Sequence, residues 1–305
     1  MRPALLLLCS LFFAAPAFAQ NLQVVTVPVD PLDATVPHAA YNGHATTFKA
    51  IARGGSGTYF TEWDFDGNGV YDATSTTSNP YNLGLRFQLP NQAADTTFLA
   101  RVRVTSGGQT VTGTYPVHVF SDVPADPGNA NERQLQIQRS VAIDDALWFL
   151  HTSMTRAGDP TNPLTGAQII GHLAEQTTYT AGAFLEALGR TRHFPAFPVA
   201  YLGELPDAAA NTRRWRDDPY AEDAARLVNF LLSQASVVSV TAQDESNLSG
   251  FYPEVALPPI PGTDDGWGLL IGAVPNDLST GHAASALRGL AFARLQGFVA
   301  QVGDP

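Results

Sequence analysis

Residues 98–119, FLARVRVTSGGQTVTGTYPVHV, decide how the first half of the chain is read. Phe98, Ala100, Val102 and Val104 point one way and Arg101 and Arg103 the other, the period-two alternation of a half-buried strand. Beyond the turn, Val111, Tyr115, Val117 and Val119 share a face opposite Thr110, Thr112, Thr114 and His118. Gly107-Gly108 between the two runs is the dipeptide a tight hairpin favours, so an antiparallel pair is predicted. Upstream, TYFTEWDF at 58–65 places Trp63 and Phe65 on one face and Glu62 and Asp64 on the other. Short alternating segments between Gly, Asn and Pro turns continue over residues 22–121, which predicts a small all-β sandwich.

Trp63–Asp72, WDFDGNGVYD, followed by that last hairpin, resembles the polycystic kidney disease (PKD) family of immunoglobulin-like domains, which carry a Trp-Asp-Phe core and then a Gly-rich turn. The resemblance covers residues 22–121. It departs from the family where YNLGLRFQLPNQAADTTF, 81–98, replaces the usual Tyr-x-x-x-Gly element. Membership implies an extracellular spacer or binding module, common in proteins that act on or attach to polysaccharide or protein surfaces, and implies no catalysis. Within the motif, Asp64, Asp66, Asn68, Gly69 and Asp72 fall at positions 1, 3, 5, 6 and 9 of a calcium loop, with the Val70 carbonyl at position 7. Such a loop would hold Ca²⁺ at about millimolar affinity, as extracellular modules do. Ser75 stands where the bidentate Glu belongs, and the same residues read equally as an Asn68-Gly69 hairpin turn with solvated aspartates. That turn is the simpler expectation, and no other cofactor is called for.

Residues 1–19, MRPALLLLCSLFFAAPAFA, have the form of a secretory signal: one Arg, a short apolar run and an Ala-x-Ala site before Gln20. The expectation is a protein that is secreted, periplasmic or at the cell surface, with no membrane insertion once the leader is cleaved. Cys9, the one cysteine, leaves with the leader, so disulfides and thiolate chemistry are not expected in the mature chain. The 305 residues are 45% hydrophobic, which allows globular domains, and carry 28 acidic against 17 basic residues. A net charge of -11 argues against nucleic acid as a partner, because phosphate binding needs a basic surface. Lys49 is the single lysine, which nearly removes Schiff-base chemistry.

Residues 122–131, DVPADPGNAN, read as a linker. From Glu132 the period changes to that of helices. Leu135, Ile137, Val141, Ile143, Leu147 and Leu150 mark a first helix, Ala181–Arg192 a second, and Pro219 behind a cap at Asp217 or Asp218 opens a third. A fourth is expected near Thr280–Val299. AIDDALWFL at 142–150 and DAARLVNFL at 223–231 each lead to an Ala-rich helix opened by Thr-x-x-Ala, a paired pattern similar to the helical hairpins of α/α toroids, the architecture of terpenoid cyclases and prenyltransferase β-subunits. The cyclases' Asp-rich acid motif is absent. The fold class expected is therefore multidomain: an all-β immunoglobulin-like sandwich over 22–121, then an all-α helical-hairpin domain over 132–305, a partial toroid with about four main helices.

The chain has no Gly-x-Ser-x-Gly elbow, no phosphate-cradling Gly-Lys-Thr loop and no His-Glu-x-x-His pair. His172 and Glu175 have the spacing of a shared helical face, and Asp144 and His151, two turns apart, are read as a solvated face opposite Leu147 and Leu150. The loop at 250–272 combines Phe251, Tyr252 and Trp267 with Glu254, Asp264 and Asp265, residue types that stack on sugars and could form a glycosidase pair. His282 stands at the start of the fourth helix. The preferred expectation is a non-catalytic binding, adhesion or spacer protein whose partner is a cell-surface polysaccharide or protein. The alternative is a secreted polysaccharide-active hydrolase or lyase with Glu254, Asp264, Asp265 or His282 as its acid and base.

Overall fold

A computed structural model describes residues 21–31, 33–157, 170–173, 177–191, 193, 218–233, 235–240, 266–271, 285 and 288–290. The predicted hairpin is the spine of the fold. Strands β8 (Thr96–Ser106) and β9 (Gln109–Phe120) pair along their whole length around Gly107-Gly108, in register from Ser106 opposite Gln109 to Thr96 opposite Val119. Ala100, Val102, Val104, Tyr115, Val117 and Val119 are buried, as the alternation requires. Strand β5 (Tyr59–Asp64) pairs with β8, β6 (Ala73–Thr77) with β5, and β2 (His38–Tyr41) runs parallel to β9. The sheet order is β2-β9-β8-β5-β6. Two antiparallel pairs lie beside it: β1 (Gln23–Thr26) with β4 (Ala50–Arg53), and β3 (Thr46–Phe48) with β7 (Leu85–Phe87).

Between these layers Trp63, Phe65, Phe48 and Tyr115 are closed from solvent. Phe48 touches Phe65 at 4.6 Å and Trp63 at 5.8 Å between centroids, and Trp63 Nε1 donates to the Leu83 carbonyl at 3.1 Å. Full burial of rings of this size contributes a few kcal/mol each. The indole thus fixes the segment after β6 to the sheet.

Asp126 caps a short 3-10 turn at Pro127–Asn129, and Asn131 and Gln134 form a reciprocal capping box that opens helix α1 (Glu132–Ser153). Strand β10 (Met154–Ala157) follows directly and pairs with β11 (Ile170–Leu173). Helix α2 (Thr177–Arg190) and helix α3 (Pro219–Ser233) follow, and β12 (Ala235–Val240) pairs with β13 (Gly266–Ile271). Positions 285 and 288–290 are helical. No helix among the described residues is long and apolar enough to cross a membrane.

The expected fold class, an immunoglobulin-like sandwich followed by an all-α hairpin domain, is corrected. The chain is mostly β, with a five-stranded mixed sheet that curls into a half-barrel, and its second half contains two strand pairs among the described residues. The physical reasons are visible in the residues. ASVVSV at β12 carries three β-branched valines that favour a strand, and His172, whose spacing from Glu175 would suit a shared helical face, lies in β11. The parallel partnership of β2 with β9 joins segments far apart in the chain and leaves no mark in local periodicity.

A second core joins the helices to the strands. Val27 and Ile51 pack with Leu147 and Trp148 of α1, Phe184 and Leu185 of α2, and Leu227 and Leu231 of α3. Trp148 reaches this position over Gly84, where a Cβ would lie 2.8 Å from the Phe48 carbonyl and 2.9 Å from the indole. Any larger residue there would press on the Phe48 backbone and on the Trp148 ring.

Candidate functional site

The motif turn after β5 gathers three carboxylates. Oxygens of Asp64, Asp66 and Asp72 lie within 4.8 Å of one another. Asp64 is buried and Asp72 exposed. Backbone amides occupy the group: Asn68 N donates to Asp64 at 3.1 Å and to Asp66 at 3.0 Å, Gly69 N to Asp64 at 2.9 Å, and Phe65 N to Asp72 at 2.8 Å. The Asn68 side chain bridges the turn, donating to Asp66 at 3.0 Å and accepting from Val70 N at 2.7 Å. Three carboxylates this close have the composition to hold a hard divalent cation, with Asn68 and the Val70 carbonyl as further oxygens. The amide bonds also tie the turn together as a folding element.

A larger polar cluster lies where the helices meet the strands. Lys49, fully buried between β3 and β4, donates to Asp144 of α1 and lies 3.6 Å from Asp145. His38 of β2 meets the same Asp144 oxygen through Nδ1 at 3.0 Å, donates through Nε2 to the Val27 carbonyl at 2.8 Å and stacks on Tyr115 at 4.2 Å. Burial alone would raise the Asp144 carboxyl, but Lys49 and His38 beside it outweigh that and hold it well below the usual carboxylate range. Further along α1, His151 meets Asp223 of α3 at 2.5 Å and donates to the Tyr81 carbonyl at 2.9 Å. Arg156 of β10 donates to Asp223 at 2.8 Å and lies 4.3 Å above the Tyr81 ring. Burial raises the Asp223 carboxyl, and Arg156 and His151 more than reverse it. Arg53 of β4 meets Glu222 at 2.7 Å, and Arg226 binds the other Glu222 oxygen at 2.9 Å. Burial, and then Glu222 beside it, push the Tyr81 hydroxyl far up, so it stays protonated and donates to Glu222 at 3.3 Å.

Chemically this is a fastening. Asp144 is bound by Lys49 and His38, Asp223 by Arg156 and His151, and Glu222 by Arg53 and Arg226, while both nitrogens of His38 and of His151 are engaged. Buried ion pairs add little net stability compared with apolar packing, but loss of one partner strands a charge and costs about 3–5 kcal/mol. The elements are thereby held in one arrangement.

The reading of Asp144 and His151 as a solvated face is corrected. Gln138, Val141, Asp144, Trp148 and His151 recur every three or four residues along the side of α1 that faces the strands, while Ile143 and Phe149 are exposed. The usable signal was Lys49, a lone lysine in the apolar run TTFKAIA, whose burial needs an acid brought to it from elsewhere in the chain. Glu254, Asp264, Asp265 and His282, together with Glu175, lie outside the described residues, as does the leader.

Compared with protein-family models, with curated proteins and with solved structures, the chain matches none.

Proposed function

We propose that this chain is an exported, non-catalytic binding or spacer protein that works at the cell envelope or outside the cell, its partner a surface polysaccharide or protein. The observation that carries the reading is the closed state of the buried charges. Both oxygens of Glu222 and both of Asp223 are taken, Glu222 by Arg53 and Arg226 and Asp223 by His151 and Arg156, the arrangement of a scaffold and unlike the free lone pair that a general base presents to a substrate. The leader and the likeness of Trp63–Asp72 to an extracellular module support export. The outward side of the five-stranded sheet offers a contact surface: Phe60, Thr74, Thr76, Arg101, Thr112 and Thr114 are all exposed.

The test is co-sedimentation of the full mature chain with purified cell walls, cellulose and chitin, with reducing ends measured in the same tubes. Sedimentation with at least one polymer, weakened in Phe60→Ala and Arg101→Ala, and with no reducing ends released, is expected. Release of reducing ends would replace this reading by the hydrolase one. Failure to bind any wall or polymer would remove the polysaccharide partner.

A further inference from the structure

Three buried histidines at the junction each meet an aspartate, and one differs from the others. His38 and His151 are held at both ring nitrogens, whereas His193 is held at one: Nδ1 lies 2.9 Å from Asp218, and among the described residues Nε2 has no hydrogen-bond partner. Asp218 is held a second time, its other oxygen accepting from Tyr220 N at 2.9 Å at the start of α3. A carboxylate on Nδ1 places the ring proton there and leaves a lone pair on Nε2. His193 lines a pocket of about 340 Å³ between the 29–39 segment and α1. Asp144 lines it too; its Oδ2 serves Lys49 and His38, while Oδ1 has no partner among the described residues. The remaining wall includes Val29, Pro37, Val141 and Ile143. Two acceptors, one of them anionic, thus share a small pocket with apolar sides.

We infer that this pocket binds a short alkyl amine, or the aminoalkyl end of a larger molecule, with the ammonium donating to Asp144 Oδ1 and His193 Nε2 and the carbon chain against Val141 and Ile143. An ammonium supplies three donors and no acceptor, which matches the two acceptors present, and an alkyl body matches the wall. An alcohol has a single donor for the same two acceptors. A carboxylate has none and meets the Asp144 charge. The site is independent of the surface proposed for polymer binding.

Titration of the full mature chain with n-butylamine hydrochloride, n-butanol and sodium butyrate, followed by amide chemical shifts in two-dimensional NMR, tests this. Saturable shifts at Val141, Ile143 and Thr191 are expected with butylamine, at least tenfold weaker affinity with butanol, and no saturation with butyrate. His193→Phe keeps a ring but removes the acceptor and is expected to weaken butylamine at least tenfold. Ile143→Arg sets a cation beside Asp144 from an exposed helix position, so it folds whether or not the His193 variant does, and it is expected to abolish the response. Equal binding of butyrate, an unchanged affinity in Ile143→Arg, or no saturable shift with butylamine would overturn the assignment.

Discussion

Lys49 shows how a single residue can govern a junction. It is fully buried beside Phe48 and Ala50, and its ammonium meets Asp144 and Asp145 on a helix 95 positions further along the chain. Its burial is affordable only because those acids come to it. The glycines of the motif turn act at the same scale. Gly67 has φ +73°, and a Cβ there would sit 2.5 Å from the Leu99 carbonyl; Gly69 has φ +90° and open space around it. Both substitutions to alanine cost the left-handed backbone penalty of about 1–2 kcal/mol. Gly67→Ala is expected to cost about 2 kcal/mol more than that, since backbone must move, and urea midpoints of the two variants check the difference. Trp63 and Phe65 were legible as core from alternation alone. Lys49 was legible as an anomaly, but its partner was not, because nothing local links residue 49 to residue 144.

At the scale of elements, legibility follows the range of the forces involved. The β8–β9 hairpin is specified by two alternating runs and the turn between them, and α3 by Asp218 and Pro219 at its start; both occur where expected. The first turn of α1 is equally local. Asn131 accepts from Gln134 N at 3.0 Å while Gln134 returns a bond from its side chain to Asn131 N at 2.8 Å. Asn131→Ala is expected to lower stability by about 1 kcal/mol, and Asn131→Ser to restore most of it, read from thermal unfolding by circular dichroism. The β10–β11 and β12–β13 pairs were missed because short strands without an intervening tight turn carry little periodic signal. The buried side of α1 was misassigned for a different reason. Its inward stripe contains Gln138, Asp144 and His151, polar residues that only tertiary partners make acceptable in a core, so hydropathy pointed to the opposite side.

For the molecule as a whole, charges buried between strands and helices set both the shape and its dependence on pH. The Asp144 and Asp223 carboxyls are held below the usual range in the folded chain. A lowered folded value means that the unfolded chain takes up protons first. The stability these groups contribute is complete above about pH 4, where a free carboxyl titrates, and is lost as pH falls below that. Urea unfolding at pH 7, 5, 4 and 3 is expected to show little change down to pH 5 and a steep loss below pH 4; in Asp144→Asn the loss over the same interval is smaller. The same junction carries the functional argument, since a scaffold of paired charges is the reason for reading the protein as a binder. That account stands or falls on whether Lys49 and Asp144 act as one energetic unit. A double-mutant cycle of Lys49→Met, Asp144→Leu and the double variant, read from urea unfolding at pH 7, measures this directly. Each single substitution is expected to cost about 3 kcal/mol or more and the double at least 1 kcal/mol less than their sum. Costs that add to within about 0.5 kcal/mol would show that the pair does not fasten the helix to the sheet.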